Sequence, residues 1–347
     1  MSSPKRVRLD GDAADAPPFL VTHSGTHHAD EALAVSLLRA LPRFADMPLV
    51  RTRDAARIAA AHCVVDVGAE YDAARQRFDH HQRGFEETFD AAHKTKLSSA
   101  GLVWKHFGTQ ILAAKLSLDD ASPLLPLLHT KLYDDFVEAI DGIDNGQAQY
   151  PGATAAYKSS TDLSARVGRL NPRWNEELPA DAAARAADSD RRFEKAAALA
   201  GGEFWERLDY TVQAWLPARE IVERALAVRK EKSGEPSGRV LVFDEYASWK
   251  DHVYALEKDL SIPEAEQIIY VVYPDEAGSY RVQAVPEHAD SFNSRRALPE
   301  QWRGVRDEQL SEKSGIPGCV FVHASGFIGG NKTRDGALQM ARKALDL

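Results

Sequence analysis

Cysteine is nearly absent from this chain: Cys63 and Cys319 are the two among 347 residues. A pair so far apart excludes a disulfide-stapled scaffold and points to a reducing compartment. Without clustered cysteines, a structural zinc knot is excluded too. No apolar run approaches the roughly 20 residues of a membrane-spanning helix. The N-terminal residues lack the apolar core of a signal peptide. Positive charge is not in excess either. Forty-three Lys and Arg stand against 52 Asp and Glu, a formal net charge of −9. That argues against a basic coat over the whole surface and leaves room for a local basic groove. Internal repeats and long low-complexity segments are also missing.

What is present is the composition of a soluble globular protein, 44% hydrophobic and 27% charged. The length favours two domains over one core. The N-terminal "SPKRVRLD" sets Lys5, Arg6 and Arg8 around Val7. Such a basic cluster in a tail reads as a nuclear import signal, with a solvated tail as the plain reading. The expected location is the nucleus, with mitochondrion or cytoplasm as alternatives. Asp10, Asp12 and Asp15 disfavour a mitochondrial presequence.

Beyond a tail over 1–17, "FLVTH" (19–23) and "VVDVG" (64–68) read as short buried strands. Between them "ADEALAVSLLRAL" has apolar residues at helical spacing, with Asp30 placed to cap it. Strand, helix and strand joined by short loops predict a parallel sheet with crossover helices. Helical patterns follow at 97–116, opening on serines suited to capping, and at 123–146. The stretch 181–229 reads as long helices interrupted by Gly201–Gly202 and Pro217. "EKSGEPSG" (231–238) is the best linker candidate. Strands then dominate, and "GCVFVHASGFIGGNKTRDGALQMARKAL" closes the chain as strand, glycine loop and helix. The expected fold is α/β. A parallel-sheet metal domain spans 18–160, a helical connecting region 161–230, and a smaller C-terminal α/β substrate-binding domain 231–347, with a cleft between the domains.

Imidazoles and carboxylates gather at predicted element ends. His23 closes the first strand, within "THSGTHHADE", which also offers His27, His28, Asp30 and Glu31. Asp66 closes the second, "DHH" at 79–81 comes next, and "DGIDNG" supplies Asp141 and Asp144. Each piece alone is weak; their order within one domain points to a metal site. Mixed nitrogen and carboxylate donors suit manganese, magnesium or zinc. Five or six candidates exceed one tetrahedral ion and suit two, about 3.5–4 Å apart, a pair that acidifies water and clamps phosphoryl oxygens.

"THSGTHHADEALA", "VVDVG", "FDHHQR", "KLSSAGLVW", "DGIDNG" and "HASGFIGG" together resemble the melanocyte-proliferating-gene type exonucleases of the DHH phosphoesterase superfamily. The resemblance runs from about residue 19 to the end. It implies two divalent ions, manganese with magnesium as the alternative. It also implies His23, His28 and Asp30 as first-segment ligands, Asp66 as a bridging carboxylate, His80 as a ligand, and Asp144 or Asp141 as the last one. Asp79 would orient the His80 imidazole, and His81 would meet the phosphate. Many members carry D-x-D in the first motif where this chain has His28-x-Asp30, one negative charge fewer.

The C-terminal glycines invite the idea that backbone N–H groups approach an anion, with Lys332 and Arg334 adding charge. A tight turn is the plainer alternative. The resemblance implies substrate binding there, through His323, Gly329, Gly330 and Lys332. Arg83 is a candidate phosphate contact, and Arg166, Arg169, Arg303 and Arg306 are weaker ones. The implied activity is hydrolysis of RNA or short oligonucleotides, a 3′–5′ exonuclease, with no membrane role and the oligomeric state open. Two alternatives stand beside it. One is a phosphatase or pyrophosphatase of small substrates with the same site; the other is a non-catalytic nucleic-acid binder with a structural metal.

Overall fold

The structure, a computed structural model, describes residues 17–289 and 291–347. The basic cluster at 5–8 lies outside the described residues. Two compact units divide between Asp209 and Tyr210. Each contains a five-stranded mixed sheet with helices. Among the described residues, no helix is long and apolar enough to cross a membrane.

The first unit is built on strands β1 (Leu20–Thr22), β2 (Leu49–Arg51), β3 (Cys63–Val65), β4 (Tyr71–Asp72) and β5 (Arg77–Phe78), in the order β2-β1-β3-β5-β4. β1 runs parallel to β2 and β3, and β3 runs parallel to β5. Only the β4–β5 pair is antiparallel. The sheet is therefore mostly parallel, as the strand–helix–strand pattern predicts. β1 and β3 are buried along their whole length, which is why they read as unbroken apolar runs.

The helix Ala29–Arg39 follows β1 and is buried over most of its surface. Asp30 does not cap it. The cap position is His28, whose N–H donates to both carboxylate oxygens of Glu31 at 2.9 and 3.0 Å. The serines before the helix Ser99–Leu116 also serve another purpose. Ser98 Oγ donates to Asp141 and Ser99 Oγ to the carbonyl of Phe78, so they tie the helix to its neighbours.

The pattern at 123–146 is one run of helix, Leu124–Leu132 and Glu138–Asp144, joined through a π-helical turn at Tyr133–Val137. The expected break at Gly201–Gly202 is not there. The helix Ala182–Tyr210 passes straight through both glycines. A Cβ on Gly201 would stand 1.9 Å from Ser36 Oγ, so this glycine permits close helix approach. Pro217 directly follows a π-helical turn at Thr211–Trp215, where the regular hydrogen-bond ladder is already displaced, and the helix Leu216–Ala227 continues through it.

The second unit has β6 (Val240–Val242), β7 (Tyr270–Pro274), β8 (Tyr280–Ala284), β9 (Cys319–Val322) and β10 (Ile328–Asn331), ordered β6-β7-β8-β10-β9. β6 and β7 are parallel and the other pairs antiparallel. Alternate residues feed separate apolar layers, Val240, Val242 and Val272 on one face, Leu241 and Val271 on the other. The stretch 231–238 is folded into this unit. Ser233 is buried, its carbonyl accepts from the Arg342 guanidinium Nε at 2.7 Å, and Glu235 accepts from the N–H groups of Ser237 and Arg239.

Candidate metal centre

In the first unit, β1, β3 and β5 are adjacent and parallel, so their C-terminal ends lie side by side. Open parallel sheets place ligands at that edge. Each strand is followed at once by chemistry: His23 after β1, Asp66 after β3, and Asp79–His81 after β5. Strand spacing of about 4.8 Å is what brings them within reach of one another.

Asp66 adopts a left-handed conformation, φ 56°, which aspartate tolerates better than most residues. Its Oδ2 lies 3.2 Å from His23 Nε2, and its Oδ1 lies 3.5 Å from His80 Nε2 and 3.4 Å from His81 Nδ1. Asp66 thus stands between the two buried imidazoles. The first turn of the helix Ala29–Arg39 adds Asp30 and Glu31, both fully buried, and Glu31 Oε1 is 3.1 Å from His23 Nε2. The end of the helix Glu138–Asp144 adds Asp144, with Oδ2 at 3.2 Å from His80 Nε2.

Three sets of donor atoms here converge closely enough to share an ion with one atom from each side chain. One comprises His23, His28, Glu31 and Asp66; another comprises His28, Asp30 and Asp144. Asp66, His80 and His81 form the third. Glu31, quoted in the first motif but given no role there, belongs to the first set. A cavity of about 790 Å³ opens over these residues, with Arg53, Lys96 and Ile143 also on its wall.

The electrostatics are those of an acidic pocket short of positive charge. No hydrogen-bond donor faces either oxygen of Asp30 among the described residues, its side-chain neighbour being the second carboxylate Glu31, and Asp66 Oδ1 and His80 Nε2 lack an aligned partner as well. Burial, and then the charges of Asp66 and Glu31, hold the Asp30 carboxyl well above the usual range. Burial opposes protonation of His23 and His80. Asp66 and Glu31 around the first, and Asp144 and Asp66 around the second, nevertheless raise each to about 10. Buried carboxylate oxygens that no donor faces are costly to leave so, and beside imidazole nitrogens they make a good donor set for divalent cations. The residues present therefore fit metal ions.

Within the triplet, the roles differ from expectation. Asp79 does not orient His80. Its Oδ1 accepts from the N–H of His81 at 3.1 Å and lies 2.7 Å from His81 Nδ1, while its Oδ2 accepts from the N–H of Ala69 at 2.6 Å. The group beside His80 Nδ1 is Asn145 Oδ1, at 3.1 Å. Asn145 is in turn fixed by donating to the carbonyls of Lys96 and Asp141. The "DGIDNG" stretch contained this residue, but an amide beside two aspartates attracts no attention as a ligand orienter. His81 is 62% exposed in its side chain and faces the cavity.

Asp141 is not part of the cluster. Its Oδ1 accepts from Ser98 N–H, Ser98 Oγ and Gly101 N–H, and its Oδ2 from Tyr133 Oη. Both oxygens are occupied in holding two helices together, so Asp144 alone of the pair reaches the centre. His27 is also elsewhere. Its backbone is clasped by Asn171, and burial, with Arg51 nearby, lowers its imidazole to about 4.

The C-terminal motif is not a loop at a helix N-terminus. Gly329 and Gly330 lie inside β10, hydrogen-bonded on both edges by β8 and β9. A Cβ on Gly329 would stand 2.9 Å from Val322 Cγ2 and 3.0 Å from the Phe321 carbonyl oxygen. Close strand packing explains that glycine. His323 and Lys332 are exposed on the same unit, His323 Nδ1 beside Ser325 Oγ at 2.9 Å. Arg83 is exposed and does not line the metal cavity. Arg166 is committed to Glu203, Arg169 to the Ser160 carbonyl and Arg303 to the Leu298 carbonyl, and Arg306 lies over the Phe321 ring.

The family model described as "Uncharacterised protein family (UPF0160)", the MYG1 exonuclease model, matches residues 19–345. The chain is 48% identical to the Homo sapiens protein named MYG1 exonuclease over 348 residues, 99% of this chain and 89% of that one. It is 48% identical to the MYG1 protein of Dictyostelium discoideum over 94% of this chain and 96% of that one. Against the Saccharomyces cerevisiae MYG1 protein identity is 42%, covering 99% and 100%. No solved structure matches.

Proposed function

This chain belongs to the MYG1 exonuclease family, and on that premise we propose that it is a divalent-metal-dependent phosphodiester hydrolase of the DHH phosphoesterase type, releasing nucleotides from the 3′ end of RNA. The observation that carries the metal dependence is Asp30, fully buried with no hydrogen-bond donor facing either oxygen among the described residues, and grouped with His28 and Asp144. The exonuclease names of the relatives support a nuclease; the RNA substrate and its polarity rest on the motif resemblance.

His23, His28, Asp30, Asp66, His80 and Asp144 would hold the cations, with Glu31 beside His23. Divalent ions, manganese foremost, supply charge that acidifies water and stabilises the negative charge building on a phosphoryl oxygen. The chain's own groups do the rest. Asn145 fixes the ring of His80. Asp79 holds Nδ1 of His81, so that Nε2 of that exposed ring would accept a proton when the ring is neutral and donate one to a phosphoryl or leaving oxygen when it is protonated on both nitrogens. The remaining buried donors resist rearrangement because they sit on strand ends and a first helical turn.

The test compares wild-type and His80→Ala protein on end-labelled RNA with manganese, magnesium or no added cation. Stepwise shortening from the 3′ end by wild type, lost on substitution, is the expected result. Equal cleavage by both, or none by either across cations, would remove the reading. Dinucleotides cleaved while long RNA is spared would replace it with hydrolysis of small substrates.

A further inference from the structure

The metal cavity has four carboxylates on its wall, Asp30, Asp66, Asp79 and Asp144, and two cationic side chains, Arg53 and Lys96. The carboxylates there repel a phosphodiester and the His23 and His80 rings are taken up by them, so the Arg and Lys matter for where it can lie. Several cations elsewhere in this unit are already neutralised: Arg39 by Glu194, Lys105 by Glu87, and Arg166, a candidate phosphate contact from sequence, by Glu203. Arg53 and Lys96 are different. Neither has a carboxylate within ion-pair distance among the described residues.

They also occupy opposite ends of the cluster. Arg53 follows β2, and its Nη2 lies 3.3 Å from Nδ1 of His23, with Nε donating to the Ser24 carbonyl at 3.2 Å. Lys96 is at the His80 end: its carbonyl accepts from Asn145 Nδ2 at 2.8 Å, the same amide that faces His80. The Lys96 ammonium lies 5.8 Å from the Phe85 ring centroid. That aromatic face supports the side chain without neutralising it.

We propose that Arg53 and Lys96 position the substrate, holding anionic phosphate oxygens at the His23 and His80 ends of the centre respectively. This rests on the reading of the chain as a phosphodiester hydrolase. Arg53 offers a planar fork to two oxygens, and Lys96 a compact point charge. Both are positioning residues, and the buried donors remain the cation ligands.

The experiment uses full-length Arg53→Gln, Lys96→Gln and Lys96→Arg proteins with manganese. It reads three quantities: calorimetric binding of inorganic phosphate, manganese affinity, and KM against kcat on end-labelled RNA. Each Gln variant is expected to raise the phosphate Kd and the RNA KM about tenfold or more, the scale of a lost charge-assisted hydrogen bond. Manganese affinity should not fall, and Lys96→Arg should restore most of the loss. Wild-type phosphate Kd and KM in both Gln variants would overturn the assignment, as would absence of phosphate binding by wild type. If wild type binds phosphate, the variants lose it and no RNA is cleaved, the hydrolase reading fails and the assignment of the two cations stands.

Discussion

Nδ1 of His80 faces Oδ1 of Asn145 at 3.1 Å, while the carboxylate of Asp79 serves His81. A ligating imidazole is normally fixed through its other nitrogen, and here an amide does this. Asn145→Ala should therefore weaken manganese binding about 10–100-fold, read by calorimetry. Asp79→Asn should leave manganese affinity nearly unchanged and lower kcat, because its partner is the exposed His81. The reverse pattern would exchange the two roles.

Asp30 carries the second prediction. Its folded carboxyl is raised above its unfolded value, so the ionised form costs stability. Below the unfolded value, near 3.8, both states are protonated and Asp30→Asn should change little. As pH rises above it, the metal-free variant should become the more stable of the two. Thermal melts with and without manganese check this. The variant should also lose the rise in melting temperature that manganese gives wild type.

Cation binding should release protons. Without a cation, carboxylates hold His23 and His80 protonated up to about 10, against the pull of burial. A ligating imidazole must be neutral. Protons therefore compete with the metal, and affinity should increase with pH across the range from 6 to 9. Calorimetry in buffers of different ionisation enthalpy would show the release. An affinity flat with pH would place the cation elsewhere.

Gly201→Ala should destabilise the first unit by about 1–3 kcal/mol through overpacking, because the new Cβ meets Ser36 Oγ. Ser36→Gly in the same chain should recover most of the loss. A melting temperature unchanged by Gly201→Ala alone would show that the helices separate freely there.

Much of the centre was legible in the sequence for a simple reason. A histidine or aspartate directly after a short β-branched run stands out, and parallel sheets gather strand ends. His23 and Asp66 are found this way; the "DHH" triplet, after the two-residue strand Arg77–Phe78, shows only as a motif in series with them. What could not be read was the direction each side chain takes. Asp141 and Asp144 are three residues apart, yet Ser98, Gly101 and Tyr133 consume the first and leave the second for His80. Those partners come from other elements, so local spacing carries no trace of them. The glycines failed similarly. Gly201, Gly329 and Gly330 mark close approaches within regular structure, while a sequence shows only that a side chain is missing.

The donors lie at positions 23, 28, 30, 66, 80 and 144, so they span more than a third of the chain. Three come from the ends of paired parallel strands, and such long-range pairing forms slowly. A nascent chain carrying only the first eighty residues holds every donor but Asp144, along with the buried acids that repel one another. The last helix of the set completes the donors and brings the Asn145 prop with it. The centre is therefore complete only once these distant segments have met, and a cation held there would act as a clasp between residues 23–80 and residue 144.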